Sequence, residues 1–300
     1  MSAPDQSDPD QSDPVASPTV LKAAAANASG IDAYAPAEIA IRLETVAAAK
    51  GAMALLPLTM LAILAGAFIG FGAMFFNLVL SDATLGFAAQ RVLGGVVFSL
   101  GLLLVVVAGA ELFTGNNLLA MAWADGRVST PQLLRNWLVA CIGNFVGAVG
   151  LAWLVHAAGH LMMQQGAVGD SLLRLLAAKI ALTPAELFWR GVLCNALVCL
   201  AVWMTLAGRS VMDKAVAIIF PVTAFVAAGF EHSIANMFFF PLAMLHQSVL
   251  PGGSAMAVLP MITWNNMLAN LLPVIAGNIL GGSVMVALVY YLIYRRPLRK

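Results

Sequence analysis

Two long apolar segments of the chain carry the same short phrase, and each phrase puts a carboxylate where lipid would otherwise be. Ala108-Gly109-Ala110-Glu111 runs to Asn116, and Ala228-Gly229-Phe230-Glu231 runs to Asn236. An ionisable group at membrane depth costs on the order of a few kcal/mol even on insertion scales, so it faces a protein interior or a water-filled path. The fold must therefore enclose both carboxylates. A motif doubled in two halves of an apolar chain points to a transporter or channel pore.

The solvent follows from composition: 61% hydrophobic residues and 10% charged exceed the apolar share of a soluble domain, about 45–50%. A net charge of +1 offers no basic stripe to displace counterions from phosphates, which excludes nucleic acid as a partner. Cys141, Cys194 and Cys199 lie in apolar sequence at no metal-ligand spacing and read as small buried residues, with no cofactor implied. Residues 1–35, opening on repeats of Asp-Gln-Ser-Asp-Pro, read as a disordered cytoplasmic tail with no signal peptide. Residues 36–50 place Ile39, Ile41, Leu43 and Val46 among charges after Pro36, an amphipathic helix for the membrane interface.

Residues 51–295 hold six apolar segments, about 51–80, 91–124, 131–158, 184–207, 211–246 and 263–293, against the ~20 residues a spanning helix needs. Thr130-Pro131 and the capping box Thr183-Pro184-Ala185-Glu186 mark the third and fourth starts. Residues 296–300 form a basic C-terminus. With both termini cytoplasmic, 11 Lys and Arg fall inside (Lys22, Arg42, Lys50, Arg127, Arg135, Arg209, Lys214, Arg295, Arg296, Arg299, Lys300) and 4 outside (Arg91, Arg174, Lys179, Arg190). The positive-inside rule selects that orientation.

The second and fifth segments are too long for one span, and each is interrupted at the doubled motif. A broken helix exposes backbone groups that only protein or a water-lined cavity can satisfy at membrane depth. The duplication reaches further: Asn136 with Gly143-Asn144-Phe145-Val146-Gly147 matches Asn270 with Gly277-Asn278-Ile279-Leu280-Gly281, both N-x6-G-N-x-x-G. Gly66 and Gly191 give a weak match between the first and fourth segments. Two repeats of three spans must enter the membrane in opposite senses, an inverted repeat whose broken segments meet near the midplane. There, half-helix N-termini present positive dipole ends to an anion. The fold class is an all-α membrane protein of six helices in two inverted three-helix repeats. Gly66, Gly70 and Gly72 offer a small-residue face that lets helices approach closely.

Glu111-Leu112-Phe113-Thr114-Gly115-Asn116, Gly229-Phe230-Glu231-His232-Ser233-Ile234-Ala235-Asn236-Met237, Gly208-Arg209-Ser210-Val211-Met212-Asp213-Lys214 and Gly277-Asn278-Ile279-Leu280-Gly281-Gly282 together resemble the formate/nitrite transporter family over residues 36 to 295. The resemblance implies an aquaporin-like protomer with broken second and fifth helices, a homopentamer with one pore per protomer, and passage of small monovalent anions across the bacterial inner membrane. The Asn-Pro-Ala signature of aquaporins is absent.

His232 stands beside Glu231 at a break whose twin has Leu112, and the resemblance makes it the central pore residue. Its ordinary pKa near neutrality lets an imidazole lend a proton or a charge and take it back; the bland alternative is a histidine bonded in a packed core. By resemblance Thr114 contacts the histidine or the anion; the alternative, compatible with it, is a cap for a short helix starting near Asn117. Glu111 and Glu231 are read as holding the breaks in shape, since a permeating anion would be repelled by them. By resemblance Phe98, Leu102, Leu112, Phe113 and Phe225 narrow the pore on either side of the histidine, though such residues are otherwise ordinary lipid-facing or core positions. A dry constriction obstructs a hydrated anion far more than a neutral acid. Asn195 and Asn270 match polar positions around the histidine, with helix–helix hydrogen bonding as the alternative. Lys179 either draws anions inward or is a solvated loop lysine.

Other classes fit poorly. An intramembrane hydrolase built on His232 and Ser233 lacks a Gly-x-Ser-x-Gly elbow, and a structural or receptor protein needs no broken helices. Formate is the expected substrate, moved with protons; nitrite and hydrosulfide are the alternatives within the same family.

Overall fold

The computed structural model describes residues 32–248 and 262–296. The tail at residues 1–31 and the end of the basic C-terminus at 297–300 lie outside the described residues. Among those described, all regular structure is helical: α1 (Pro36–Gly51), α2 (Leu55–Leu80), α3 (Phe87–Gly109), α4 (Phe113–Asn116), α5 (Leu119–Ala124), α6 (Thr130–Ala157), α7 (Ala167–Ile180), α8 (Pro184–Thr205), α9 (Val211–Ala227), α10 (Ser233–Gln247) and α11 (Trp264–Tyr294). Five of them, α2, α3, α6, α8 and α11, are long and apolar enough to span a bilayer. The segment 211–246 is not a sixth such helix. It is delivered as α9 and α10, of 17 and 15 residues, because the doubled motif cuts it in two.

Two four-part units pack alike. In one, α1 precedes α2, which lies on α6 with α3 beside it; in the other, α7 precedes α8, which lies on α11 with α9 beside it. Glycine makes the long-helix contacts possible. A Cβ on Gly147 would run into the Ile63 carbonyl, and one on Gly281 into the Val192 carbonyl, so each N-x6-G-N-x-x-G repeat is a surface that lets two backbones touch.

The structure adds to several sequence expectations and moves one helix start. Gly66, Gly70 and Gly72 face Asn144, Leu151 with Phe238, and Phe98 with Gly101 of the same chain, so they serve packing within the protomer. The N-cap of α6 is Ser129, closed by Gln132, one residue before the Thr130 expected. The amphipathic α1 buries Ile39, Ala40, Leu43 and Ala47 against the protein, and Glu44 within it bonds Arg295 at the far end of the chain at 2.8 Å. Both ends of the described chain therefore meet on one face. Finally, residues 167–180, outside the six apolar segments, form the helix α7.

Candidate functional site

Both breaks are made by the same backbone event. Helix α3 widens into a π turn, Leu104–Gly109, in which Ala110 N–H donates to the Val105 carbonyl at 2.9 Å; α9 ends with Phe230 N–H donating to the Phe225 carbonyl at 3.0 Å. Gly109 and Gly229 then turn the chain at φ +88° and +72°, a left-handed conformation natural to glycine. The next residues are extended, and α4 and α10 begin.

The orphaned groups of each break meet one asparagine. Asn144 donates to the Ala62 and Glu111 carbonyls and accepts from Phe113 N–H, at 2.7, 2.9 and 2.9 Å. Asn278 donates to the Gly191 and Glu231 carbonyls and accepts from Ser233 N–H, at 2.8, 3.0 and 3.0 Å. Buried backbone groups need such partners. These bonds also fix the register of the repeats: Ala62 corresponds to Gly191, and Leu61, whose carbonyl accepts from Glu111 N–H, corresponds to Arg190, whose carbonyl accepts from Glu231 N–H. Gly66 therefore matches Asn195, one turn from the pairing the sequence offered.

The carboxylates are held by a second matched set. Glu111 takes Lys50 Nζ at 2.9 Å and Asn116 Nδ2 at 2.8 Å, and Asn116 also donates to Asn136 Oδ1 at 2.8 Å. Glu231 takes Lys179 Nζ and Asn236 Nδ2, and Asn236 donates to Asn270 Oδ1, all at 2.7 Å. Each buried charge is thus paired and hydrogen-bonded, which makes its burial tolerable. Lys179 is no solvated loop lysine, and Asn270 supports Asn236 away from the imidazole. Sequence reasoning missed Lys50. Its signal was positional, because it ends α1 as Lys179 ends α7.

At the centre the two breaks differ. His232 caps α10 by accepting from Ala235 N–H at Nδ1, 3.2 Å away, which leaves the proton of the neutral ring on Nε2. Nε2 lies 3.0 Å from Thr114 Oγ1 on α4, so the two half-helix starts are joined side chain to side chain. Behind them Asn195 Nδ2 donates to the Thr114 and Asn278 carbonyls at 3.2 and 2.6 Å. Both ring nitrogens are engaged, by Thr114 and Ala235, and neither is turned to the neighbouring Ser233.

Three spaces line up on this centre. A vestibule of about 140 Å³ contains Arg91, Lys179, Arg190, Phe98, Phe225 and His232 in its lining. Another of about 400 Å³ contains Lys50, Glu111, Leu61, Leu102 and Leu112. Between them a void of about 10 Å³ touches Phe98, Phe225, His232, Leu102 and Leu112, room for at most one water. Phe98 and Phe225 cross edge to face at 5.9 Å, and Phe225 stacks on the imidazole at 6.0 Å. Phe98 with Phe225 borders the void toward the first vestibule, and Leu102 with Leu112 borders it toward the second. Phe113, expected in a constriction, lines none of the three spaces; it is buried in the apolar core.

An all-helical, membrane-embedded chain whose two broken helices enclose vestibules on either side of a dry, histidine-lined centre has the architecture of a channel or transporter. Residues 37–292 match the formate/nitrite transporter family. Formate channel FocA of Escherichia coli K12 is 42% identical over 79% of this chain and 86% of its own length; Formate channel FocB of the same organism is 36% identical over 90% and 98%. A solved "Pentameric formate channel with formate bound" is 39% identical and superimposes with a TM-score of 0.75, covering 80% of this chain and 97% of that one. The chain belongs to the formate/nitrite transporter family.

Proposed function

We propose that the protein conducts small monovalent anions of weak acids, formate first among them, between the Lys179 vestibule and the Lys50 vestibule past His232. One observation carries the reading: His232 Nε2 and Thr114 Oγ1 meet at 3.0 Å, where two half-helix starts converge on a void between apolar constrictions. The 17-residue α9 and 15-residue α10 together act as the fifth span of a six-helix, aquaporin-like protomer. The matched hydrogen bonds of the two repeats, each with an odd number of spans, support an inverted relation. The relatives named as formate channels support formate, and the pentameric neighbour supports a homopentamer. The Lys and Arg distribution supports an inner-membrane protein with the Lys50 vestibule and both termini cytoplasmic.

An anion entering the dry centre sheds water, a cost that protonation to a neutral acid removes. The neutral imidazole offers Nε2–H to the anion in place of Thr114. Full proton transfer needs a ring protonated on both nitrogens, and a proton on Nδ1 would face Ala235 N–H. Proton delivery and release of the first turn of α10 therefore go together.

Uptake of labelled formate, nitrite and hydrosulfide into sealed vesicles, compared across about pH 5 to 8 where an imidazole titrates, tests the assignment. Formate should be preferred, with uptake rising as pH falls. The variant His232→Asn still caps α10 through its amide oxygen, so it should fold and assemble yet lose the pH-dependent uptake, leaving a slow leak. An unchanged pH profile removes the histidine from the mechanism; preference for another anion reassigns the substrate.

A further inference from the structure

The two vestibules are matched in their Lys–Glu–Asn–Asn sets and unmatched in charge. Among the described residues Lys50 faces Glu111 in one, a balance of zero. In the other Arg91, Lys179 and Arg190 face Glu231 alone, a surplus of two positive charges. Glu186, one turn from Arg190, does not line the cavity; its carboxylate is engaged with Thr183 N–H and Oγ1 at 2.8 Å each.

The repeat register shows that the surplus is not needed to build a break. Arg190 stands where the other repeat has Leu61, each supplying a backbone carbonyl to the glutamate N–H, and Leu61 lines its own vestibule as an apolar residue. Arg91 stands 20 residues before Glu111, and the residue 20 before Glu231 is Val211. The Lys50-side break is held without either guanidinium. Arg91 donates to the Val226 and Ala227 carbonyls at 2.9 and 3.1 Å, while Arg190 makes one long bond to the Gly229 carbonyl at 3.4 Å. Arg190 therefore has a planar fork of donors left over, half-buried and aimed at the same cavity.

Apart from His232 and Asn236 the rest of that cavity is apolar, and Phe76, Phe98, Phe225, Phe230 and Phe239 contribute to its wall. An apolar cavity of about 150 Å³ accepts a benzene ring, and this one measures about 140 Å³. A mostly apolar pocket with a few convergent polar groups is the usual form of a small-molecule site, and a guanidinium fork matches a carboxylate in two parallel bonds.

We infer that the Lys179-side vestibule is a binding site for a carboxylate with an apolar or aromatic body, held by Arg190 and Arg91, which plugs the pore from that side. The bulk of such an anion stops it at the Phe98–Phe225 constriction. The inference deepens the transport reading and rests on it only for the word "plugs", since binding is measurable without transport.

Benzoate is the probe. Titration calorimetry on the purified full-length protein should show binding that R190L weakens about tenfold or more, the loss of a charge-assisted bidentate contact. R190K, which keeps the charge and loses the fork, should fall between. R91Q gives a second reading should R190L not fold. In vesicles of known orientation, benzoate added on the Lys179 side should block anion flux, and benzoate on the Lys50 side should not. No binding to the parent protein, equal binding to R190L, or equal block from both sides overturns the site. Binding that follows this pattern in a protein without formate flux leaves the site standing and removes the transport reading instead.

Discussion

The break before α4 and the break before α10 are built on one polar plan, and their differences separate what makes a break from what uses it. Both have a wide last turn, a left-handed glycine, an asparagine clamp and a glutamate paired to a lysine. Only one carries an imidazole at the cap, where the other has Leu112, and only one faces two arginines. The shared parts are structural necessities of a helix interrupted at membrane depth. The unshared parts are where chemistry is free to enter.

The clamps give the sharpest test of the shared plan. Asn144→Ala and Asn278→Ala each leave two carbonyls and one N–H buried without a partner, at about 1–3 kcal/mol per group. Both variants should lose assembly or drop steeply in melting temperature, and by similar amounts; a large effect in one and none in the other would show that the clamps are not equivalent. The lysines should differ. Removing one partner of a buried pair costs about 3–5 kcal/mol, and the Lys179 and Glu231 side chains are 13% and 2% exposed. Those of Lys50 and Glu111 are 26% and 6% exposed, so solvent screens more of the loss. Lys179→Met should therefore destabilise more than Lys50→Met, read as the difference in melting temperature in one detergent.

Much of this plan was legible in the sequence because the repeat writes each part twice. Asn136 and Asn270, Asn144 and Asn278, and the two glutamates sit at matching spacings, and the clamp and the carboxylate support occupy those positions. Legibility ended where partners are distant in sequence. Lys50 reaches Glu111 across 61 residues from a helix that read as interfacial, and α7 went unread because neither its length nor its hydropathy marks a span. The five-residue spacing of the wide turns carries no residue signature at all. Phe113 was misplaced because rotation about a short helix decides whether a side chain faces the pore or the core, and four residues show no periodicity.

The apolar constrictions probe a difference of intermediate size. On the proposed reading Phe98 and Phe225 are one barrier and Leu102 and Leu112 the other, and such barriers act by excluding water. Phe98→Ala or Phe225→Ala should raise anion leak and relax selection by size, measured as the ratio of formate to larger-anion flux. Leu102→Ala should do less, since it opens onto the larger vestibule. Parent-like flux in all three would return these residues to the core.

The smallest expected effect concerns the two ends of α6, which are finished differently. At its start Ser129 and Gln132 close a capping box, and Arg127 pairs with Asp125 at 3.1 Å. At its end the chain enters the link to α7 through His160, half-buried with its Nε2 unpartnered among the described residues. Burial holds the His160 pKa below its ordinary value, because a charged ring there lacks water. The folded state therefore binds fewer protons than the unfolded state once pH drops below about 6.5. Its contribution to stability is neutral above that pH, becomes unfavourable as pH falls toward the folded pKa, and levels off below it. His160→Gln cannot titrate, so its melting temperature should gain on the parent's between about pH 7.5 and 5, by only about 1–2 °C given the solvent around the ring. A gap that stays constant with pH, or that grows as pH rises, would show that the end of α6 is as well satisfied as its beginning.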